Sequence, residues 1–507
     1  MKLETSLTVK HVFDIGAKSM VLFVPEKFTA KDLPAEIKKF DIDLMEYLKD
    51  CKFTGAAGTI AAIALPSKQQ KVMHLCFVGI GSKGENKKFV LETLRRAVGS
   101  AIKWAQSKQF ESVVLALPEA NDFGCKIAYF IAQVTSIVYI ASYKYDLFIT
   151  SIDKKDREKP FEVGLAVTAD HLKEAKIGHA DGVIIGKAVN RTRDWVDTPP
   201  STLTPTVLAG HAQKLAKEVG LKCTVFTEKE IKKMGMNGLA GVSAGSEEDA
   251  QFVILEYKTK KTKAPTIAFV GKGITFDSGG LSIKPANSME DMKEDMAGAA
   301  SVINTLVALA QLQPDVNVVG IAPITENLLG CKAQKPGDIV TFYNGKTAEI
   351  RNTDAEGRLI LADALAYAVK HFKPDAVIDV ATLTGACIYA VGPFFSALLS
   401  DNDQLAQRVQ EAAVTSGDAV WRLPFTPDFK EAVKSPIADI QNIGNPAIAA
   451  GTITAAWFLR HFTDDVPWVH LDIASTAFNV PNISYYGKGG TGSSVRLLID
   501  VARNWKK

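Results

Sequence analysis

The sequence predicts an α/β protein of two domains, a small N-terminal α/β domain and a larger C-terminal α/β domain with a central, largely parallel mixed sheet flanked by helices. Three observations carry this. The chain has 507 residues, more than one hydrophobic core normally serves, so two domains are expected. Short apolar runs alternate with amphipathic stretches along its length. Several of those runs are too uniformly apolar for half-exposed strands and read as strands of a parallel sheet with both faces covered.

In the first part, Ser19–Val24, Val72–Gly79 and Ser112–Leu117 are the apolar runs, and 89–106 between the last two has helical periodicity. The loop Gly79–Gly84 invites a phosphate-binding reading but matches neither the Walker spacing nor a dinucleotide fingerprint, so it reads as a glycine turn after a buried strand. The chain becomes strongly charged over 154–162, then helical over 180–195 before Asp197-Thr198-Pro199-Pro200, where the prolines end the helix. These marks place the small domain at 1–165, a linker with a helix at 166–196 and the large domain at 197–507.

The large domain opens with Leu203-Thr204-Pro205-Thr206, a helix start for a run to Val219. Strands are expected at 252–257, 266–270, 316–324, 376–380 and 468–473, and helices near 288–311, 359–371, 452–462 and 493–505. No internal repeat or low-complexity tract is visible. Hydrophobic residues at 47% and charged ones at 23% fit a buried core under a solvated surface, and a net charge of +3 gives no field that argues for nucleic acid. Six cysteines without a CxxC pair argue against a disulfide framework. The N-terminus lacks the apolar core of a secretory signal, and no uninterrupted apolar run of about 18 residues offers a membrane span. These readings give a cytoplasmic expectation.

The most informative segment is Asn352-Thr353-Asp354-Ala355-Glu356-Gly357-Arg358. If it continues the strand leaving the Asn344-Gly345 turn, its alternate residues Asp354, Glu356 and Arg358 face one cavity. Alone, such a pattern would more simply be the wet face of a strand. A second cluster lies upstream, Gly271-Lys272-Gly273-Ile274-Thr275-Phe276-Asp277-Ser278-Gly279-Gly280-Leu281-Ser282-Ile283-Lys284-Pro285, followed by Asp291, Glu294 and Asp295. In an open α/β sheet functional loops leave the carboxyl ends of strands, so a strand ending at Val270 delivers Lys272 and Asp277 to one edge. Asp291 and Asp295 are one helical turn apart, and spacing does not choose between them.

Together these segments resemble the leucyl aminopeptidase family of dinuclear metallopeptidases, in order and spacing, over roughly the C-terminal two-thirds of the chain and more loosely over the rest. The resemblance implies a macro-domain-like N-terminal domain and a metal-dependent aminopeptidase that releases leucine and other apolar residues from short peptides. It selects Asp295 over Asp291. One metal would be held by Lys272, Asp277, Asp295 and Glu356, the other by Asp277, Asp354 and Glu356. Zn or Mn, with Mg or Co as further choices, suits an oxygen-rich set. By residue type alone Lys272 would rather be a cation neutralising carboxylates, since as a ligand it must lose its proton; only the resemblance makes it a ligand.

The resemblance further implies that Lys284 hydrogen-bonds the scissile carbonyl and its oxyanion, and that Arg358 holds a bicarbonate ion acting as general base. For both, a structural salt bridge is the plainer alternative. Met292, Thr382, Gly385 and Ala474 would line the pocket for the first side chain, and Ala477 would widen it. A homohexamer is implied as well. Two rival functions stay open at this point, a dinuclear phosphoesterase and a DNA-binding architectural protein with this fold. The shortage of histidines in the motifs weighs against the first and the lack of a basic stripe against the second.

Overall fold

A computed structural model describes residues 2–9, 18–31, 33, 43–65 and 74–505. The chain divides into two compact units, Met1–Lys187 with Asn482–Gly487, and Ala188–Pro481 with Lys488–Lys507. The division falls inside the helix Leu172–Asp197.

The first unit is built on strands β1 (Lys2–Thr8), β2 (Ser19–Pro25), β3 (Ile60–Ala64), β4 (His74–Gly81), β5 (Ser112–Ala116) and β6 (Pro160–Ala166), in the order β1-β6-β5-β2-β4-β3. Only β3 runs antiparallel to its neighbour. The helices Leu91–Ser107 and Ile127–Ser142 bury apolar residues against one another. The central strands follow from the dry runs of the sequence. β1 and β6 do not, because β1 carries polar residues along its length and β6 begins at the end of the charged stretch 154–162 that marks a boundary in the sequence. Its Phe161, Val163 and Leu165 point inward at period two while Glu162 stays outside, which is a strand signal. Val72 and Met73, expected at the start of β4, lie outside the described residues.

The second unit contains β7 (Lys222–Thr227), β8 (Gln251–Tyr257), β9 (Thr266–Gly271), β10 (Gly273–Asp277), β11 (Asn317–Asn327), β12 (Ile339–Thr341), β13 (Thr347–Glu349), β14 (Ala376–Ala381), β15 (Ser396–Leu399), β16 (Val420–Arg422), β17 (Ile440–Gln441) and β18 (Trp468–Asp472). Nine of them form a mixed sheet in the order β16-β15-β18-β14-β9-β11-β8-β7, with β10 added beside β11. The middle of that sheet, β18-β14-β9-β11, is parallel, and the edges turn antiparallel at β15 and β8. Ile267, Ala268, Phe269 and Val270 of β9 are fully buried, as expected for a strand covered on both faces. Burying each large apolar side chain there contributes about 1.5–3 kcal/mol. The helices Ala297–Leu312 and Gly357–Phe372 supply the cover.

Two expectations change. The helix expected over 288–311 is broken into Ala286–Met289, a 3₁₀ turn Met292–Met296 and Ala297–Leu312. This succession also has the length and hydropathy of a membrane span, yet it is mostly buried inside the protein. The segment 350–356 is not a strand: β13 ends at Glu349 and the chain turns before the helix that begins at Gly357. All six cysteines are free thiols.

Candidate functional site

The carboxyl ends of the parallel strands meet at one place. β9 stops at Gly271, Lys272 occupies the break, and β10 crosses to pair with the far end of β11, setting Asp277 opposite Asn327. β14 ends at Ala381 opposite Asp472 of β18, so the loop carrying Thr382 and Gly385 leaves beside the segment carrying Ala474. The 3₁₀ turn adds Met292 and Asp295.

The third contributor is the Asn352–Arg358 segment. Asp354 N donates to Asn352 Oδ1 at 2.7 Å, an Asx turn that tightens the loop. Glu356 then sits at the N-cap of the helix and Arg358 in its first turn, so the three side chains converge through a turn and a helix start rather than through strand alternation. Gly357 has a steric reason to be glycine, because a Cβ there would meet Lys272 Cε at 2.5 Å. The loop is clamped by Asn442, which is fully buried. Its Oδ1 accepts from Arg351 N at 2.8 Å and Asn352 N at 3.3 Å, its Nδ2 donates to Asn352 O at 2.6 Å and Ala355 O at 3.4 Å, and its carbonyl accepts from Arg358 Nη1 at 2.7 Å.

These residues line a cavity of about 730 Å³. Eleven residues named from the sequence are on its wall: Lys272, Asp277, Lys284, Met292, Asp295, Asp354, Glu356, Arg358, Thr382, Gly385 and Ala474. Asp291 is exposed and off the wall, which separates it from Asp295. Ala477 is buried and does not line the cavity, so it does not widen it directly. The cavity also has a side unseen in the sequence, the loop from Ile443 to Gly451 with Ile388 and Tyr389. Its only local signal was a run of small residues and a proline, which marks any loop. Glu294 was noticed in sequence but given no role, and it too is on the wall.

Carboxylate oxygens of Asp277, Asp354 and Glu356 lie within 4.8 Å of one another. Lys272 Nζ pairs with Asp295 Oδ2 and Glu356 Oε1, both at 2.8 Å, and donates to Thr382 O at 3.0 Å. Lys284 Nζ reaches Asp277 Oδ2 at 2.8 Å and Asp354 Oδ1 at 2.5 Å. Burial works against charge on both lysines, but the surrounding carboxylates outweigh it and hold both ammonium groups above the ordinary lysine value. Burial raises Asp295 well above the carboxylate range; it also raises Asp354 to about 6, helped by the charges of Asp277 and Glu356. Arg358 is lowered by burial to about 10, and its Nε is buried without a hydrogen-bond partner among the described residues. Burial, reinforced by Asp291, raises Glu294 to about 8.

Asp295 Oδ2, Asp354 Oδ1 and Glu356 Oε1 are buried and held only by lysine ammonium groups, so the site keeps several anionic oxygens on one small volume. Such a donor set fits hard or borderline divalent cations. Hydrogen bonds brace it from behind. Thr382 Oγ1 donates to Asp295 Oδ1 at 2.7 Å, and Asn327 Nδ2 donates to Asp277 Oδ1 at 2.8 Å. Asp472 accepts from Leu383 N at 3.1 Å, Ala474 N at 3.2 Å and Thr384 Oγ1 at 2.7 Å, tying two walls of the cavity together.

Comparison with known proteins agrees with this arrangement. Residues 190–499 match the catalytic domain of the cytosol aminopeptidase family and residues 21–151 its N-terminal domain. A probable cytosol aminopeptidase of Chlorobaculum tepidum is 38% identical over 99% of this chain and all of its own length. One from a Polaromonas species is 42% identical over 80% of this chain and 77% of its own. Among solved structures, the bottromycin maturation enzyme BotP in complex with Mn superposes with a TM-score of 0.83 at 31% identity, covering 96% of this chain and 99% of that one. The chain belongs to the cytosol aminopeptidase family.

Proposed function

We propose that this member of the family is a two-metal aminopeptidase that removes leucine and other apolar residues from the N-termini of short peptides. The observation that carries the reading is the cavity in which five carboxylates, two lysines and an arginine converge beside an apolar wall. Lys272, Asp277, Asp295 and Glu356 would hold one divalent ion and Asp277, Asp354 and Glu356 the other, Zn or Mn being the first choices and Mg or Co also compatible with the donors. Bound there, the ions would supply Lewis-acid polarisation and an acidified water.

The residues of the chain divide the remaining work. Lys284, a cation paired with Asp277 and Asp354, would donate to a carbonyl oxygen as negative charge develops on it. Arg358 is anchored by one Nη to Asn442, leaving its buried Nε N–H to receive a planar anion such as bicarbonate, a fit for a proton acceptor at this site. Met292, Thr382, Gly385 and Ala474 would receive the first side chain. Among the described residues no histidine lines the cavity, which disfavours a phosphoesterase reading.

We further propose a cytoplasmic location, in keeping with the family's name, and a homohexamer, which light scattering would show as six times the 54.7 kDa chain mass. The function is tested with leucine p-nitroanilide and its N-acetylated form, after chelation and after restoring Mn or Zn. Metal-restored cleavage of the free-amine substrate alone supports the reading; cleavage of neither with metal bound defeats it.

A further inference from the structure

Glu294 stands apart from the other charged residues of the cavity. It shares the 3₁₀ turn of Met292 and Asp295 and lines the same wall, yet its Oε2 is buried without a hydrogen-bond partner among the described residues. The nearby cations are committed elsewhere. Lys272 spends its ammonium on Asp295, Glu356 and the Thr382 carbonyl, and Lys284 on Asp277 and Asp354. Lys293, next in the chain, donates to Asp197 O at 2.8 Å. A buried carboxyl oxygen with no donor is unfavourable, and native proteins keep few of them without a ligand or function.

We infer that Glu294 is a specificity-determining residue that lets this cavity accept first residues with a cationic side chain, lysine and arginine, beside apolar ones. The inference rests on the aminopeptidase reading and deepens it by naming a substrate class. A leucine or methionine side chain cannot supply the missing donor. Lysine and arginine can, because their methylene stems pack against apolar walls such as Met292 while the charged head reaches a polar end. A glutamate side chain would instead bring a second carboxyl with no cation to match it.

The test measures kcat/KM of the metal-loaded enzyme on lysine, arginine, leucine, methionine and glutamate p-nitroanilides. It compares the natural chain with Glu294→Gln, which keeps the size and loses the ionisable carboxyl, and Glu294→Asp, which keeps the carboxyl. Lysine cleavage within about tenfold of leucine is expected from the natural enzyme. Glu294→Gln should lower the lysine-to-leucine ratio by about tenfold or more, mainly through KM, as loss of one charge-assisted hydrogen bond implies. Glu294→Asp should recover part of that ratio.

An unchanged ratio in Glu294→Gln overturns the inference, as does a natural enzyme that cleaves leucine but not lysine. Loss of bound metal in Glu294→Gln would overturn it too, by making the residue a ligand. Should the variants fail to fold, inhibition of the natural enzyme by free lysine against free leucine decides the same question: inhibition by both supports the inference, and by leucine alone overturns it. Failure of every substrate in the metal-bound natural enzyme would instead remove the aminopeptidase reading, and this inference with it.

Discussion

The two units solve the same folding problem and end with opposite treatments of buried charge. Each packs helices on a sheet with a parallel middle, and each has glycine-bearing loops at the strand ends. In the first unit the buried cation Arg95 is matched inside the protein, giving two hydrogen bonds to Gln133 Oε1 at 3.0 and 2.8 Å and pairing with Glu92 at 3.3 Å. In the second, Asp295, Asp354 and Glu356 each line a cavity with a buried carboxylate oxygen held only by a lysine ammonium group, and Arg358 Nε has no hydrogen-bond partner among the described residues. A parallel sheet offers a crevice at its carboxyl end wherever it occurs. What makes one crevice a candidate site is charge that the fold concentrates and leaves for something else to complete.

Substitutions can break or sharpen this contrast. The largest effect is expected from Glu356→Ala, which removes a carboxylate shared by both proposed ion positions: activity should be abolished and the bound metal reduced, read by steady-state rates beside metal analysis. Lys284→Ala comes next. Removing a donor aimed at developing charge typically costs about 10²–10³ in kcat, and metal content should change far less than turnover; a variant of normal rate would take Lys284 out of the chemistry.

Asn442→Ala tests whether the clamp on the ligand-bearing loop matters. It makes no charge contribution, yet displacing the loop by about 1 Å can cost roughly 10²-fold. A fall of about tenfold to a hundredfold in kcat/KM, with a modest loss of metal affinity by titration, is the expected result. The smallest effect belongs to the first unit. Gly81 has φ +74°, so Gly81→Ala should cost about 1–3 kcal/mol of stability, seen as a lower Tm, while turnover per folded molecule stays unchanged. A large loss of turnover there would undo the division of labour between the units.

Much of this molecule was legible in its sequence, for identifiable reasons. Strands β8, β9, β11, β14 and β18 were visible because burial on both faces leaves an apolar run that no other element explains as simply. β1 and β6 were hidden, since edge or polar strands carry little such signal. The ligand-type residues were visible because chemistry restricts their identity. Their convergence was read through the wrong local geometry: Asp354, Glu356 and Arg358 meet through an Asx turn and a helix start, which Asn442 stabilises from 84 residues further along the chain.

By itself the sequence determined the α/β class, the residue types able to hold divalent cations and the family whose motifs they match, because periodicity and motif spacing are local properties. Tertiary structure alone decided that the loop from Ile443 to Gly451 closes one side of the cavity, and that Glu294 lines it with a carboxyl oxygen lacking a partner among the described residues. Those outcomes depend on which backbone groups and cations from distant segments reach a given atom, and pairing at that distance leaves no trace in local pattern.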